Sequence, residues 1–425
     1  MHSADYTCYT IIDLPLIKQK MLNWVKQFNI FCFLDNCQYS IEPHKYECIV
    51  AAGCSSFISS ETSGALKDID QFIDNKKWTF GHISFELKNI LFQFSSTKKD
   101  EVDIPLFYFF QPEILILVKG NELIIYGNKA DIIYEEILNS KEDFQANKEF
   151  KIEQKLSKEE YINKIKSLQH HIQIGDCYEI NFCQEFYAQN ADIDPLNLFK
   201  NLINISPNPF SALYKLNGKY LICASPERFI TKKGNQILSQ PIKGTSERIL
   251  TDQLVDEKRK SELFLSEKER SENVMIVDLV RNDLSRICKE GSVKVDELFG
   301  IYSFPQVHQM ISTISGELEK DVKFSKIIES TFPMGSMTGA PKHKVLQLIE
   351  EYEVSTRGIF SGSVGYIDPE GNFDFNVVIR SIMYNGLKRY LSYQVGSAIT
   401  FYSNAEKEWE ECILKAKAIK KVLGN

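Results

Sequence analysis

The chain has 425 residues, of which 43% are hydrophobic and 25% are charged. This composition allows one large hydrophobic core, although the length alone also permits two or three domains. The formal net charge is -7 and no long basic stretch occurs, so the sequence gives no electrostatic support for a nucleic-acid partner.

The N-terminus and the apolar stretches predict a cytoplasmic protein with no membrane partner. Residues 1–10 lack a basic region followed by an apolar run and a cleavage site, which argues against export. The longest apolar stretches, such as residues 114–118, have the length of a strand and are too short to span a bilayer. The ten cysteines are scattered singly without a C-x-x-C pair, which predicts reduced, structural thiols.

Residues 1–140 combine short strand-like runs with polar connections, and they contain no chemical motif. The clearest runs are residues 30–34, 79–85 and 122–126. A charged stretch follows at residues 140–160 and predicts a hinge between two segments of the chain. Within it, Ser157 precedes two acidic residues in a way that is typical of a helix start.

The second part of the chain alternates strands and helices irregularly. A helix is predicted at residues 161–174, a strand at 178–187, and short strands separated by glycine-containing turns continue to residue 238. Three further helices are predicted at residues 267–288, 342–351 and 406–422. Because strict strand–helix alternation is absent, this order predicts an α+β sandwich built from antiparallel sheets.

Two of the predicted helices carry a Glu-x-x-Glu pair. Glu269 and Glu272 lie on one helix, and Glu408 and Glu411 lie on the other. A spacing of three residues places both carboxylates of a pair on the same helical face, and converging carboxylates suit Mg²⁺. A solvated helix face is the commoner explanation, but the apolar residues 274–280 that follow place Glu272 at the edge of a buried helix.

Lys243 lies in the turn Pro241-Ile242-Lys243-Gly244-Thr245, after a predicted strand. A lysine in such a turn is more often exposed to solvent. In a dry pocket, burial lowers the pKa of an ammonium group, and the free amine is a nucleophile. Glu227 is the nearest candidate acid in the sequence, and the alternative for Glu227 is an ion pair with Arg228.

Two loops of small residues precede predicted helices. Residues 332–342 form a glycine-rich loop whose backbone N–H groups can receive an anion, and residues 396–398 form a second loop. Each loop by itself is explained as an ordinary turn. The G-x-x-x-x-G-K-[ST] spacing is absent, which counts against a nucleotide-hydrolysing enzyme.

Taken together, the motifs resemble the chorismate-utilising enzymes, such as the anthranilate, aminodeoxychorismate, isochorismate and salicylate synthases. The resemblance covers about residues 150–425 and follows the family order through GDCYEINFCQ, SPERF, PIKGT, ENVMIVDLVRNDL, FPMGSMTGAPK, FNVVIRS and EKEWEECILKAKA. It implies a single large sandwich of two antiparallel sheets with flanking helices. In that fold, residues 1–150 pack as part of the same body, and residues 151–425 form the chorismate-binding catalytic region.

The resemblance also implies roles for individual residues. Glu272 and Glu411 match the direct Mg²⁺ ligands of the family, with Glu269 and Glu408 as supporting acids. Arg380 and Lys415 match the cations that hold the pyruvyl carboxylate of chorismate. The remaining substrate-binding positions are Gly244, Thr245, Gly396, Ser397, His308 and Ser336.

Lys243 selects among the family reactions. Anthranilate and isochorismate synthases typically have alanine at this position, whereas PIKGT resembles aminodeoxychorismate synthase component I. The resemblance implies that Lys243 attacks the ring as a nucleophile and Glu227 protonates the departing hydroxyl. The product would be 4-amino-4-deoxychorismate, a precursor of p-aminobenzoate and folate. No G-x-C-x-G turn is present, so ammonia is expected from solution or from a glutamine amidotransferase partner.

The chain departs from the family pattern at several positions, and three other functions stay open. Glu179 stands where hydrating members carry lysine, Ala398 replaces a glycine, and Phe360 replaces a tyrosine. Residues 33–36 stand where anthranilate synthases sense tryptophan, so tryptophan feedback is not expected. The alternatives are anthranilate synthase component I, a catalytically silent scaffold of an amidotransferase complex, and a phosphoryl-transfer enzyme.

Overall fold

Helix boundaries coincide with capping residues in the chain. A computed structural model describes residues 6–40, 42, 43, 45–61, 66–142 and 149–424. At residues 157–160, Ser157 and Glu160 form a reciprocal capping box in which each side chain accepts from the other's backbone N–H. The last helix begins after Asn404, whose side chain accepts from the Lys407 N–H, and it ends at Gly424 in the left-handed conformation.

The α-helices of the described residues are spread along the whole chain. In order they are α1 (Leu14–Val25), α2 (Asp68–Ile73), α3 (Lys88–Phe92), α4 (Ala130–Asn139), α5 (Lys158–Gln173), α6 (Pro195–Ile205), α7 (Gln253–Leu265), α8 (Glu267–Ser285), α9 (Phe324–Thr331), α10 (Lys342–Tyr352) and α11 (Ala405–Leu423). Two 3₁₀ turns occupy Phe85–Leu87 and Gly335–Met337. Among the described residues, no helix combines the length and apolar character needed to cross a membrane.

The strands divide between two sheets. Those of the larger sheet are β1 (Tyr6–Thr10), β2 (Ile30–Asp35), β3 (Cys48–Ala52), β7 (Ile114–Lys119), β8 (Glu122–Tyr126), β9 (Glu153–Gln154), β10 (Glu179–Ala188), β11 (Phe210–Leu216), β12 (Lys219–Ser225), β18 (Gly339–Ala340), β21 (Ser381–Asn385) and β22 (Tyr390–Thr400). Those of the smaller sheet are β4 (Ser56–Ser59), β5 (Thr79–Ile83), β6 (Phe107–Gln111), β13 (Arg228–Lys233), β14 (Gln236–Gln240), β15 (Ile242–Glu247), β16 (Lys294–Ser303), β17 (Val307–Glu317), β19 (Ser363–Ile367) and β20 (Phe373–Asn376).

Every strand pair in the described residues is antiparallel. The larger sheet has the order β1-β8-β7-β3-β2-β11-β12-β21-β22-β10-β18, with β9 beside β10. The smaller sheet has the order β15-β17-β14-β13-β20-β19-β5-β6-β4, with β16 beside β17. Strands from the first part of the chain join both sheets, because β2 pairs with β11 and β5 pairs with β19.

Two hydrophobic cores create the layers of the fold. One core lies between the sheets and joins side chains such as Cys32 and Leu115 of the larger sheet to Phe80 and Phe109 of the smaller one. The other core covers the outer face of the larger sheet with helices, as Tyr161 of α5 shows. This arrangement confirms the predicted α+β sandwich of two antiparallel sheets with flanking helices.

The main sequence predictions map closely onto these elements. The helices predicted at residues 161–174, 267–288, 342–351 and 406–422 correspond to α5, α8, α10 and α11. The ten cysteines are free, and Cys177, Cys183 and Cys223 are buried, as expected for structural thiols. Residues 1–5 of the predicted N-terminal segment and residues 143–148 of the charged stretch lie outside the described residues.

Candidate active site

Lys243 lies in β15 with its side chain buried. Only 8% of the residue is exposed, so the solvent-facing alternative is wrong. Its Nζ donates a hydrogen bond to Oε1 of Glu179 at 2.5 Å, and Glu179 is buried as well. Glu179 is held by β10, which pairs with β18 through Glu179 and Ala340. Gly339 precedes Ala340 in β18. A Cβ atom on Gly339 would lie 2.1 Å from the Glu179 carbonyl oxygen, so this close contact between the strands requires glycine.

The pKa of Lys243 shifts in the direction opposite to the sequence-based expectation. Burial alone lowers the pKa of the ammonium group, but the carboxylates of Glu179, Glu272 and Glu227 outweigh this effect and raise the pKa above 10.5. The expected loss of the proton through burial is therefore wrong for the free protein. Lys243 is protonated at neutral pH and needs a proton acceptor before its amine can act as a nucleophile.

Glu227 is buried immediately before β13. Arg228 forms its ion pair with Asp374 at 2.9 Å, so the alternative pairing of Glu227 with Arg228 is wrong. Burial raises the pKa of Glu227 to about 7, while the Lys243 ammonium group opposes the shift. A carboxyl with this pKa carries its proton in a large fraction of molecules at neutral pH, which suits a general acid.

The two Glu-x-x-Glu pairs face a common lysine. Glu272 on α8 and Glu408 on α11 are buried, and Lys268 Nζ lies 3.7 Å from the Glu272 carboxylate. Burial lowers the pKa of Lys268, but the carboxylates outweigh it and raise the pKa; they belong to Glu272, Glu408, Glu269 and Glu411. Helices α8 and α11 therefore bring the four predicted carboxylates around one cation.

The chemistry of this cluster fits a further cation. Oε1 of Glu272 and Oε2 of Glu408 are buried and accept no hydrogen bond from the residues that the structure describes. Burial raises the pKa of Glu272 to about 7, because the charged carboxylate loses its contact with water. Within the same described ranges, no group of three or more ligand side chains forms a ready-made metal site. Mg²⁺ commonly takes only one or two carboxylates and completes its shell with water and substrate oxygens, so the donor set is sufficient.

The two predicted cations of the substrate site differ in their partners. Lys415 on α11 pairs with Glu411 at 2.8 Å and donates to the Gly396 carbonyl oxygen at 3.0 Å. The Arg380 guanidinium is partly buried and has no hydrogen-bond or ion-pair partner in the described part of the chain. Burial lowers the pKa of Arg380 to about 10, with Tyr39 and Glu227 opposing the shift. Arg380 is thus available to an incoming anion.

The predicted small-residue positions line the elements around Lys243. Gly244 has a φ of +88°, and a Cβ atom there would lie 3.0 Å from Oε2 of Glu269, so β15 approaches α8 closely at this point. Thr245 is exposed and pairs with Gln309 of β17. Gly396 and Ser397 on β22 pair with Cys183 and Phe182 of β10, the strand that also carries Glu179.

Two predicted polar positions have different surroundings. Ser336 is buried in a 3₁₀ turn, and its hydroxyl has no hydrogen-bond partner among the described residues. His308 is buried, but both of its ring nitrogens are used, one by Ser303 at 2.9 Å and the other by Asp256 at 3.1 Å. Ser336 is thus open to a ligand, whereas His308 is already part of a protein network.

The structure adds two residues that are not among the predicted site residues. In the sequence, Glu179 stands out only as a departure from the family pattern, and Lys268 belongs to no predicted site. A local signal for Lys268 exists, because it stands four residues before Glu272 on the same helix face. Glu179 carries no comparable signal, since its partner Lys243 lies 64 residues away on another strand.

Known proteins resemble this chain in sequence. A profile of the family described as chorismate binding enzyme matches residues 31–421. The chain is 40% identical over 265 residues to the chloroplastic aminodeoxychorismate synthase of Arabidopsis thaliana, covering 62% of this chain and 28% of that protein. It is 37% identical over 282 residues to aminodeoxychorismate synthase component 1 of Escherichia coli, covering 66% of this chain and 61% of that protein. The chain thus spans less than two thirds of either relative.

Another relative matches more of this chain, and solved structures resemble it in fold. Anthranilate synthase component 1 of Saccharolobus solfataricus is 34% identical over 347 residues, which cover 81% of this chain and 80% of that protein. Anthranilate synthase component I of Streptococcus pneumoniae has a TM-score of 0.76 at 22% identity, covering 89% of this chain and 93% of that chain. The menaquinone-specific isochorismate synthase of Escherichia coli has a TM-score of 0.77 at 15% identity, covering 99% and 95%. These structures share the fold, and the sequence matches show that the chain belongs to the family of chorismate-utilising enzymes.

Proposed function

We propose that the protein is component I of an aminodeoxychorismate synthase, which converts chorismate and ammonia to 4-amino-4-deoxychorismate for p-aminobenzoate and folate synthesis. The observation that carries the proposal is that Lys243 is buried and faces Glu227, a buried acid, in addition to its hydrogen-bond partner Glu179. Relatives named aminodeoxychorismate synthase support the same reaction. A lysine nucleophile distinguishes this route from direct attack by ammonia on the ring.

The proposed reaction has two displacements. The neutral Lys243 amine attacks C2 of the chorismate ring, the C4–oxygen bond breaks, and Glu227 supplies the proton that lets the hydroxyl leave as water. Ammonia then forms a bond to C4, and the bond between C2 and the lysine nitrogen breaks. The proton lost by the new C4 ammonium group returns to Glu227, so the acid is restored at the end of the cycle.

Binding of the substrate requires compensation of its negative charge. Glu272 and Glu411 would hold Mg²⁺, supported by Glu269 and Glu408, and the metal would anchor the ring carboxylate of chorismate. Arg380 and Lys415 would hold the pyruvyl carboxylate. Backbone and hydroxyl groups of Gly244, Thr245, Gly396, Ser397 and Ser336 would complete the site, together with His308 on β17, which pairs with Ser246 of β15.

Ammonia is proposed to come from a glutamine amidotransferase partner. The sequence has no G-x-C-x-G nucleophile turn, and the Escherichia coli relative is named as a component 1. The product assay with the purified chain therefore uses chorismate, Mg²⁺ and an ammonium salt, with and without an added glutaminase subunit plus glutamine. We expect 4-amino-4-deoxychorismate as the main product; chorismate that remains unconverted in both arms would contradict the proposal and support a silent scaffold.

Anthranilate synthase component I is the second candidate. The relative with that name in Saccharolobus solfataricus matches 81% of this chain and 80% of its own length. Both shares are larger than those of the two aminodeoxychorismate synthases. The same assay separates the two reactions, because anthranilate is fluorescent and forms with release of pyruvate. Anthranilate as the main product would replace the first proposal by the second.

A further inference from the structure

Lys243 faces carboxylates from several elements of the fold. These groups are Glu179 on β10, Glu227 before β13, Glu269 and Glu272 on α8, and Glu411 on α11. Only Glu179 forms a hydrogen bond with the ammonium group, at 2.5 Å, among the residues that the structure describes. The proton of Lys243 is therefore already shared with one particular carboxylate.

The second carboxylate oxygen of Glu179 also bears on the role of this residue beside Lys243. Oε2 of Glu179 is buried and has no hydrogen-bond donor within the described residues. A structural carboxylate at this depth normally has hydrogen-bond donors for both oxygens, because an unpaired buried oxygen has lost its water without replacement. Glu179 thus has an open acceptor position while β10 and β18 hold its backbone firmly.

We propose that Glu179 is the positioning residue that accepts the proton of Lys243 and so prepares the amine for attack. This inference rests on the proposed function. The proton moves from Nζ of Lys243 to Oε1 of Glu179, which leaves a neutral amine and a neutral carboxylic acid. After ammonia has displaced the lysine, the same proton returns from Glu179 to Nζ, so the pair ends each cycle as it began.

Substrate binding favours this transfer for a physical reason. Exclusion of water penalises charged groups, which raises the pKa of a carboxyl and lowers that of an ammonium group. A bound substrate that covers the pair therefore favours its neutral form over the ion pair. Glu227 is unsuited to the same task, because it must donate a proton in the step in which Lys243 attacks.

The test compares variants of Glu179 by the rate of adduct formation. The protein is mixed with chorismate and Mg²⁺ without ammonia, quenched at set times, and analysed by intact-protein mass spectrometry between pH 6 and pH 9. Glu179→Gln retains an oxygen that accepts a hydrogen bond but cannot accept the proton. We expect adduct formation to slow about 100-fold relative to the wild type at neutral pH, and this deficit to shrink as the pH rises, because solvent then removes the proton of Lys243.

Controls separate the proposed role from a structural one. Glu179→Asp retains the carboxylate, and we expect it to be at least about tenfold faster than Glu179→Gln. Glu185→Gln alters another buried glutamate of β10, which bonds Tyr390 at 2.8 Å, and should leave the rate unchanged.

The sign of the effect decides between two models. A Glu179 that only holds Lys243 in its charged form would make Glu179→Gln faster at neutral pH, since removal of the negative charge lowers the pKa of Lys243. That result, or an unchanged rate and pH profile, would overturn the inference while leaving the lysine route intact. A wild-type protein that forms no adduct would overturn both.

Discussion

Two buried charge networks in this molecule differ in how completely their polar atoms are paired. Arg357 is fully buried, and its guanidinium donates to both Glu353 oxygens, to two backbone carbonyls and to Ser361. The Lys243 site, by contrast, leaves acceptor oxygens of Glu179 and Glu272 without donors among the described residues. A satisfied network stabilises the fold, whereas an unsatisfied one keeps groups available for a ligand.

The largest effect should come from breaking the satisfied network. Arg357→Met leaves the Glu353 carboxylate buried without its partner, and we expect the free energy of unfolding to fall by about 3–5 kcal/mol. Urea denaturation followed by circular dichroism measures this change. The control is Arg281→Met, which removes a half-exposed ion pair with Asp278 and should cost no more than about 1 kcal/mol. Similar losses in the two variants would contradict the structural role of Arg357.

Glu227→Gln should instead remove activity while improving stability at high pH. We expect adduct formation to slow by about 10²–10⁴-fold, because the departing hydroxyl loses its acid. In the wild-type protein the rate should fall as the pH rises through about 7, where Glu227 loses its proton. An adduct rate equal to that of the wild type would exclude Glu227 as the acid.

The same residue makes a signed prediction about stability. Its pKa is raised in the folded protein from 4.5 to about 7, so the folded state binds more protons than the unfolded state between these pH values. The contribution of Glu227 to the free energy of unfolding is therefore present at low pH and is lost as the pH rises through about 7. Denaturation of Glu227→Gln across this range should show a weaker decline than the exposed control Glu257→Gln.

The predicted metal ligand Glu272 provides a third test. Glu272→Gln should weaken Mg²⁺ binding by at least about tenfold. Loss of a residue that only supports a metal ligand already lowers metal affinity by about this factor, and loss of a direct ligand should cost more. Titration calorimetry of the protein without chorismate measures the affinity. Glu262→Gln changes an exposed glutamate on α7 that pairs with Lys258, and it should bind Mg²⁺ like the wild type. Equal affinities for both variants would remove Glu272 from the metal site.

The smallest effect is expected at Lys268, the cation that the four carboxylates already share. Lys268→Met removes a competitor for the same negative charge, so Mg²⁺ should bind a few-fold more tightly, roughly the strength of a half-exposed ion pair. Lys258→Met is the matched control on α7. Weaker binding in Lys268→Met would mean that this lysine supports the metal site instead of competing with it.

The two networks also differ in how far the sequence could predict them. Helical spacing predicted that Glu269 and Glu272 share a face, as Glu408 and Glu411 do, because that relation is local. The pairing of Lys243 with Glu179 depends on which strands meet, which local patterns do not reveal. The expected pKa direction of Lys243 is wrong for the same reason: that expectation weighs only the effect of a dry pocket, and the convergence of carboxylates on Lys243 depends on how distant elements pack.

The secondary structure shows the same division. Helices with an apolar face, such as α8 and α11, were predicted from periodicity. Helix α7 was missed because it has no continuous apolar face, and its buried residues are limited to Asp256 and Leu263. Helix α6 was missed although Asp194 caps it and Pro195 occupies its first turn, both of which also resemble a turn signal.

The most direct test of the central claim is the mass of the protein after incubation with chorismate and Mg²⁺ in the absence of ammonia. We predict an added mass of one chorismate less one water, mapped by peptide analysis to Lys243 and absent from Lys243→Ala. Added ammonium salt should discharge this adduct and release 4-amino-4-deoxychorismate. An adduct that persists on Lys243→Ala, or turnover by the wild-type protein with no adduct on Lys243, would contradict the assignment of Lys243 as the nucleophile.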